Sequence, residues 1–422
     1  MTDTIFARAT APGRAGIAVL RLSGPQARAA AGRLAGPLPE AGRSLRRLKG
    51  AGGEVIDEAL VLTFAAGRSF TGEEVVELHV HGSAAVVAAL EHELGAMPGL
   101  RGAEAGEFTR RALENGRLDL AQVEGLADLL AAETEAQRRQ AMRVMSGELG
   151  EIAARWRADM VRALALVEAT IDFSDEDLPD GLATEVAALL TPLIAEMARM
   201  AAGTAMAERL RAGFEVAIIG APNVGKSTLL NRLAGREAAI VSDIAGTTRD
   251  VIEVRMDLGG LPVTILDTAG IRDGGDTVER LGIARARARA ERADLRVHLV
   301  EAGDAAVAGP RDIVLRAKDD DGRFGGVSGL TGAGIDGLIA QLGALLGGLA
   351  AEAGLATRER HRQALLVALG HFDGALGASM RDSPEVVAEE LRRALRAIDV
   401  LVGRVDVEDV LDVVFASFCI GK

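Results

Sequence analysis

Cysteine is almost absent: Cys419 is the only one in 422 residues. A single thiol excludes an internal disulfide and a cysteine-based zinc cluster, and it suits a reducing compartment. It stands fourth from the end, in SFCIGK, where a prenylation signal would place it. That signal needs two aliphatic residues after the cysteine and usually a basic stretch before it. Here Gly421 takes the second aliphatic position, Lys422 the last, and the preceding VDVEDVLDVVFASF carries acids, which argues against a lipid anchor. Aromatics are scarce, at 3% with one Trp and no Tyr, so a chain that is 49% hydrophobic must build its core from Ala, Leu, Val and Ile. Positive charge is in deficit, with 48 Lys and Arg against 61 Asp and Glu, a net charge of −13. This balance argues against broad nucleic-acid binding by charge alone; an RNA partner would need a local basic patch. The longest uncharged apolar run, near GLIAQLGALLGGLAA, is too short and too Gly-rich to span a bilayer. MTDTIFARATAPG has an early Asp3 and no apolar core segment, which predicts no signal peptide. The expectation is a cytoplasmic protein of about three domains with no membrane partner.

The patterning changes along the chain. Residues 1–117 read as mixed α/β: GIAVLRLSG, ALVLTF and VVELHVHG are strands ended by Gly or turn residues, and SAAVVAALEHELGA follows as a helix. From 118 to 210 apolar residues recur at three- and four-residue spacing, as helices do, with SDEDLPDG as a loop. FEVAIIG, after Gly213, is a buried strand, and strands alternate with helices over 211–350. Helical patterning resumes over 351–422. The simplest architecture is multidomain, α/β plus all-α: an α/β N-terminal domain, then a helical domain in two parts with a P-loop α/β domain inserted between them.

GAPNVGKST, Gly220 to Thr228, lies directly after FEVAIIG and before the helix STLLNRLAG. This is a P-loop in its required context. Gly220 and Gly225 let the backbone curl so that N–H groups around Asn223, Val224 and Thr228 point at phosphate oxygens. Lys226 reaches the β- and γ-phosphates, Ser227 offers a hydroxyl to Mg²⁺, and the helix N-terminus adds its dipole. TILDTAG ends in Asp267, Thr268, Ala269 and Gly270; the Asp can hold Mg²⁺ through water, and Gly270 N–H can meet a γ-phosphate. Between these segments, Ser242, Asp243, Ile244, Ala245, Gly246, Thr247 and Thr248 read as a switch loop whose threonines offer hydroxyls to the metal. Ras-type enzymes orient the attacking water with a Gln after DTAG; this chain has Ile271 and must use another group, with Asp276, Glu279 and Arg280 nearby.

The base-reading segment, N-K-x-D in such domains, is degenerate. DIVLRAKDDDG keeps Lys318 and Asp320 in one register, with Ala317 where Asn is expected; the other puts Arg316 at the Asn position and matches only Asp319, and the first is preferred because it costs one change. Either Asp can accept from the N1–H and 2-amino group of guanine. Ser328, in GVSGLTGAGIDGL, marks the last loop. The missing Asn amide predicts a weakened base loop. His79 and His81 alternate on one strand face, a metal-like spacing without a third ligand nearby, and they read as structural. RARARAER reads as the solvated face of a helix.

Taken in order, DTIFARATAPGRAGIAVLRLSG, FTGEEVVELHVHG, GEFTRRALENGRLDLAQVEGLADLL, IDFSDEDLP, the GTPase segments and the terminal FCIGK resemble the tRNA-modification GTPase family MnmE (TrmE) over nearly the whole chain. The resemblance implies a folate-binding, dimerising N-terminal domain, a helical domain and an inserted Ras-like G domain. It implies a homodimer that works with the flavoprotein MnmG (GidA) on the wobble uridine of tRNA. The one-carbon donor would be 5,10-methylene- or 5-formyl-tetrahydrofolate, and K⁺ would stimulate GTP hydrolysis. By position, Asn223, Ser242, Ile244 and Thr247 match the K⁺ ligands, Ser227 and Thr248 the Mg²⁺ ligands, and Glu279 the residue that orients water. Arg21, Glu77, Arg117 and Lys422 match folate contacts. Two departures are Ala317 and Ser83, the latter in place of a second Gly after Gly82. Val410, Leu411, Val414, Phe415 and Phe418 recur at helical spacing before the tail, so the last residues are expected to be held at the folate site, with Cys419 either a catalytic thiol or a small core residue. A GTP-controlled RNA or ribosome assembly factor is the alternative class; it would need neither the folate-type domain nor the tail.

Overall fold

The computed structural model describes residues 3–172, 181–235, 253–267, 288–302, 309, 311–378, 383–403, 414–415, 418 and 420–421. They belong to two compact units, Met1–Ala127 with Val402–Lys422, and Asp128–Leu401.

In the first unit, β1 (Thr4–Arg8), β2 (Ala15–Ser23), β3 (Gly42–Lys49), β4 (Val55–Phe64), β5 (Val75–Gly82) and β6 (Leu100–Gly102) form one sheet in the order β3-β4-β5-β2-β1-β6. All neighbours are antiparallel except β1 with β6. Strand alternation splits the sheet's two faces. Leu20 and Leu22 of β2, Val61 of β4, and Val76 and Leu78 of β5 join a buried cluster with α1 (Ala27–Ala35) and α2 (Ala84–Gly95). On the other face, registered pairing aligns Leu45, Leu60, His79 and Val19 in one row and Arg43, Leu62, Glu77, Arg21 and Ala7 in the next. Among the described residues, Phe108 of α3 (Glu107–Glu114) covers the β1 end of that face, against Ile5 and Ala7. Leu45 and Leu60 stay 70% and 40% exposed.

The chain's end returns to this unit. Val414, Phe415 and Phe418 are buried with Val123 of α4 (Leu120–Ala131), flanked by Leu113 and Leu118. Ile420 forms a bridge to Ala105. Gly421 has φ +98°, and a Cβ there would strike the Arg8 carbonyl. Only Gly allows so close an approach with that backbone.

In the second unit, α6 (Glu148–Asp172), α7 (Leu182–Ala212), α10 (Glu359–Gly377) and α11 (Pro384–Leu401) pack together. Trp156 is buried among them, and its Nε1 donates to Glu196 Oε2 at 2.7 Å. Burying side chains such as Phe372 and Leu391 contributes about 1.5–3 kcal/mol each. The stretch LDLAQVEGLADLLAAETEAQRRQAMRVM is two helices: α4 ends at Ala131 and α5 (Glu135–Met145) restarts from a capping box between Thr134 and Gln137. The apolar helix to weigh against a membrane is α7 rather than GLIAQLGALLGGLAA. It is long and apolar enough to cross a bilayer, and Leu190, Leu193, Met197 and Leu210 are buried along one stripe of it.

The second unit's sheet has the order β11-β10-β7-β9-β8, from β7 (Phe214–Gly220), β8 (Glu253–Leu258), β9 (Leu261–Asp267), β10 (Leu295–Val300) and β11 (Asp312–Arg316). Four strands are parallel; β8 is antiparallel and turns into β9 through Gly259-Gly260, with φ of +64° and +90°. Phe214, Val216 and Ile218 form a near-continuous buried run, packed with Leu229 and Leu230 of α8 (Lys226–Ala234) and Leu338 and Leu342 of α9 (Ile335–Ala350). This is the mark of a parallel sheet covered on both faces. The fold class is the expected one, α/β units with a mostly parallel sheet in one of them, plus helices.

Candidate functional site

In a parallel sheet, ligands meet the carboxyl ends of the strands. Gly220 ends β7, and Asp267 ends the adjacent β9, in register with Ile218 two residues before Gly220. The chain then turns through 221–225 into α8. Val224 is 1% exposed and anchors the turn in the core, while Asn223 is exposed with φ +62°. A Cβ at Gly220 would come within 2.6 Å of Leu299 O, and Gly225 has φ +111°, so the sequence's two loop glycines answer real constraints. Lys226 is buried and lies along this loop, its Nζ donating to the carbonyls of Gly220 and Ala221 at 2.8 Å each. Ser227 follows it in the first turn of α8, half-buried, and Thr228 is exposed.

The loop after β11 comes to the same place. Ala317 is bridged to Val327 and its N–H donates to Val300 O at 2.9 Å. Lys318 has φ +57° and its Nζ pairs with Glu301 at 2.7 Å. Asp319 is buried; its Oδ1 accepts from Arg323 N, and its Oδ2 from Phe324 N and Gly326 N, at 3.1, 3.0 and 2.9 Å. Those donors, Gly326 first, hold its carboxyl below the usual carboxylate range. Asp320 is exposed and accepts from Ser328 Oγ at 2.5 Å. Gly329 approaches the start of α8 so closely that a Cβ would meet Leu229 N at 2.6 Å, and Arg232 Nη2 donates to Thr331 O at 3.0 Å. The phosphate-type loop and the base-type loop are therefore packed together on α8.

The first unit holds a second cluster, on the open sheet face. Arg21 Nη2 and Nε lie 2.8 and 2.9 Å from Glu77 Oε1, both side chains being mostly buried. His79 Nε2 is 3.3 Å from Glu77 Oε2, and the Arg21 guanidinium stands 5.8 and 5.7 Å from the rings of Phe70 and Phe108. Arg117 is exposed; its stem packs at Gly72, two residues past Phe70. That loop is braced by Arg111, 0% exposed, which binds Glu73, Glu107 and Asp3, while Glu73 also accepts from Ser23.

A family model for the GTP-binding protein TrmE N-terminus matches residues 4–117, and one for the MnmE helical domain matches 120–419. A tRNA modification GTPase MnmE of Cereibacter sphaeroides is 59% identical over 435 residues, with all of both chains covered. Those of Ruegeria pomeroyi and Dinoroseobacter shibae are 56% and 57% identical over 427 and 429 residues, again end to end. This chain belongs to the MnmE (TrmE) family. Among solved structures, Aquifex aeolicus Era bound to GDP and AlF4⁻ is similar over 38% of this chain and 66% of its own, at 23% identity and a TM-score of 0.23. That likeness is too partial to bear on function.

Several residues singled out in this MnmE-family sequence lie outside the described residues: Ser242, Asp243, Ile244, Ala245, Gly246, Thr247, Thr248, Thr268, Ala269, Gly270, Glu279, Cys419 and Lys422; so does the side chain of Asp267. His79 and His81 engage Glu77 and Asp57 separately, and among the described residues no group of three His, Cys, Asp or Glu is placed for a metal. Sequence reading weighed Asp319 only as a base acceptor, not as a brace for its loop, and it passed over Phe70 and the Arg111 network. Glu107 and Arg111, four apart in GEFTRRALE, were a readable helix pair. The signal for Asp319 was an acid followed by the turn residues Gly322, Gly325 and Gly326.

Proposed function

We propose that this chain is a GTP hydrolase, the GTPase component of a complex that modifies tRNA at C5 of the wobble uridine. The observation that carries the reading is the pairing of a P-loop and a base-type loop on α8, in a chain of this family. Lys226, relieved of the Gly220 and Ala221 carbonyls, is within its side chain's reach of the β- and γ-phosphates. Water attacks the γ-phosphorus, the bond to the β–γ bridging oxygen breaks, and GDP and phosphate result. Glu279 is assigned to orient that water. The Ser227 hydroxyl and Asp267, at the ends of neighbouring elements, are hard oxygen donors suited to Mg²⁺, with Thr248 as a further ligand. Asn223, exposed in the loop, offers an amide oxygen to K⁺ beside Ser242, Ile244 and Thr247. When bound, the two cations supply positive charge against the phosphate oxygens, in place of an arginine finger.

The one-carbon donor, a tetrahydrofolate, is placed on the open sheet face. The chemistry fits: guanidinium groups of Arg21 and Arg117 for a glutamate tail, the Glu77 carboxylate for a pterin edge, and the Phe70 ring beside them. Gly421 packs at Arg8, next in β1 to Ala7, the registered partner of Arg21, which supports a role for the tail and Lys422 there. The exposed Leu45 and Leu60 on that same face support homodimerisation through the N-terminal unit. MnmG is the proposed flavoprotein partner. An acidic chain that meets tRNA needs local cations, and the edge strand β3 carries Arg43, Arg46, Arg47 and Lys49. GTP turnover measured in K⁺ and in Na⁺ tests the cation assignment. We expect turnover on the order of tenfold or more higher in K⁺, with the difference lost in Asn223→Ala. Equal rates from a confirmed dimer would refute the cation site. Nucleoside mass spectrometry of tRNA from a strain lacking the gene tests the reaction; unaltered wobble uridines would refute it.

A further inference from the structure

The degenerate base-reading segment lacks the Asn whose amide would tie the loop down, yet the loop is tied. We propose that Asp319 is the tether: a positioning residue that does the work of the missing Asn and sets Asp320 to read guanine. The inference rests on residues 317–328 being the base site, as proposed above, and concerns what holds that site in shape.

The geometry divides labour between two adjacent carboxylates. Asp319 points inward, 3% exposed, and its two oxygens gather three backbone N–H groups from 323–326. A carboxylate has about four lone-pair sites, so these donors nearly fill it and leave it little capacity for a base. Outside the same turn, Arg316 stacks on Phe324 with its Cζ 3.9 Å from the ring centroid. Asp320 points outward and is fixed by Ser328 Oγ, while its own carbonyl accepts from Thr331 Oγ1 at 3.1 Å. Ala317 is 7% exposed and contributes only backbone: its N–H to Val300 and its bridge to Val327. Nothing at 317 reaches across the loop, and Asp319 reaches three residues of it. The register is thereby decided: Asp319 is consumed by the backbone, and Asp320 is left to accept from guanine N1–H and its 2-amino group.

An amide at 319 keeps the shape but turns an N–H₂ toward backbone donors, so one oxygen must serve where two did. Asp319→Asn should weaken binding severalfold, and Asp319→Ala on the order of tenfold or more, because three backbone N–H groups, that of Gly326 buried, lose their shared acceptor. The experiment titrates full-length protein with fluorescent GDP and IDP, the latter lacking the 2-amino group. Asp319→Ala should lower the preference for GDP over IDP as well as both affinities, since a displaced Asp320 no longer finds the amino group. A loss that is equal for GDP and IDP would overturn the proposal, since it would show only a loosened domain. Ala317→Asn in the parent should change GDP affinity by less than about twofold, since the loop is already held, but in Asp319→Asn it should restore severalfold. Failure of that rescue would likewise overturn the tether. Asp320→Ala is the separate control on the base site: if it leaves GDP binding unchanged, the placement of guanine at 317–328 is wrong. If it weakens binding while both Asp319 variants bind like the parent, the base site stands and the tether falls. Should Asp319→Ala fail to fold, Asp319→Asn with and without Ala317→Asn still decides.

Discussion

In the five-stranded sheet the residues of interest lie at or just past the ends of strands, at Gly220, Asp267 and Ala317. In the six-stranded sheet they stand in mid-strand, at Arg21 and Glu77. The difference follows from what covers each sheet. Parallel strands need crossover helices on both faces, so only their ends meet solvent, and ligand binding falls to loops and backbone N–H groups. The antiparallel sheet has α1 and α2 on one face and leaves most of the other open, so alternate side chains can carry chemistry directly. A site at strand ends should tolerate change nearly everywhere except at the few side chains that touch phosphate or base. A mid-strand site should depend on side chains that also hold the sheet together.

The largest expected effect tests the first half of that contrast. Lys226→Ala removes the one buried cation along the phosphate loop. Losing a preorganised donor of this kind costs on the order of 10²–10³ in turnover, read as phosphate release at saturating GTP. A variant turning over at the parent's rate would take Lys226 out of the site. The next effect tests whether the two sheets work separately. Removal of residues 419–422 takes away the Ile420 bridge and the Gly421 contact at Arg8, both in the N-terminal unit. We expect tRNA modification to be abolished while GTP hydrolysis persists. Cys419→Ser separates the thiol from the tail: full modification in that variant makes the thiol structural, and full modification in the truncated chain removes the tail from the reaction.

How much was legible beforehand differs between the sheets for the same reason. The P-loop is contiguous, Gly220 to Thr228, so its spacing alone set Gly220, Gly225 and Lys226 in one loop. The Arg21–Glu77 pair joins residues 56 apart through strand register, which no local pattern reveals. Only the family resemblance pointed to them, and it left out Phe70 and Phe108, whose contacts with Arg21 are equally long-range. Asp319 was visible but misjudged. Read against a motif, it was the variable position between Lys318 and Asp320; only its three backbone partners show it as the residue that shapes the loop. The break at Thr134 was readable from T-x-x-Q, a capping box that the continuous apolar spacing of the flanking helices obscured.

The smallest expected effect is an acid-induced difference between the two units. Burial of Glu107 opposes its charge, but hydrogen bonds from Arg101, the Glu104 N–H and Arg111 outweigh burial and hold its carboxyl below the usual range. Asp3 is lowered in the same way, chiefly by Arg101. A carboxyl whose folded pKa is depressed stabilises the fold above its unfolded pKa and loses that contribution as pH falls through the folded value. Protonating Glu107 or Asp3 also leaves Arg111, fully buried, short of counter-charge. The second unit has depressed carboxyls too: Glu135 and Glu359 are held to about 2 by hydrogen bonds from arginines, but these pairs are exposed and worth little. Its Asp312 and Asp319 side chains are buried and held low largely by backbone N–H groups, so their protonation strands no fully buried cation as it does at Arg111. Its buried Asp294 moves the opposite way: burial raises its pKa, so protonation there relieves the fold. The N-terminal unit should therefore loosen first as pH drops below about 4. The scarcity of aromatics makes this measurable. The only Trp, Trp156, lies in the second unit and there is no Tyr, so tryptophan emission reports that unit alone while far-ultraviolet circular dichroism reports both. On acid titration the dichroism should change before the emission does. Coincident transitions, or emission changing first, would show that the Arg111 network does not set the acid limit of the N-terminal unit.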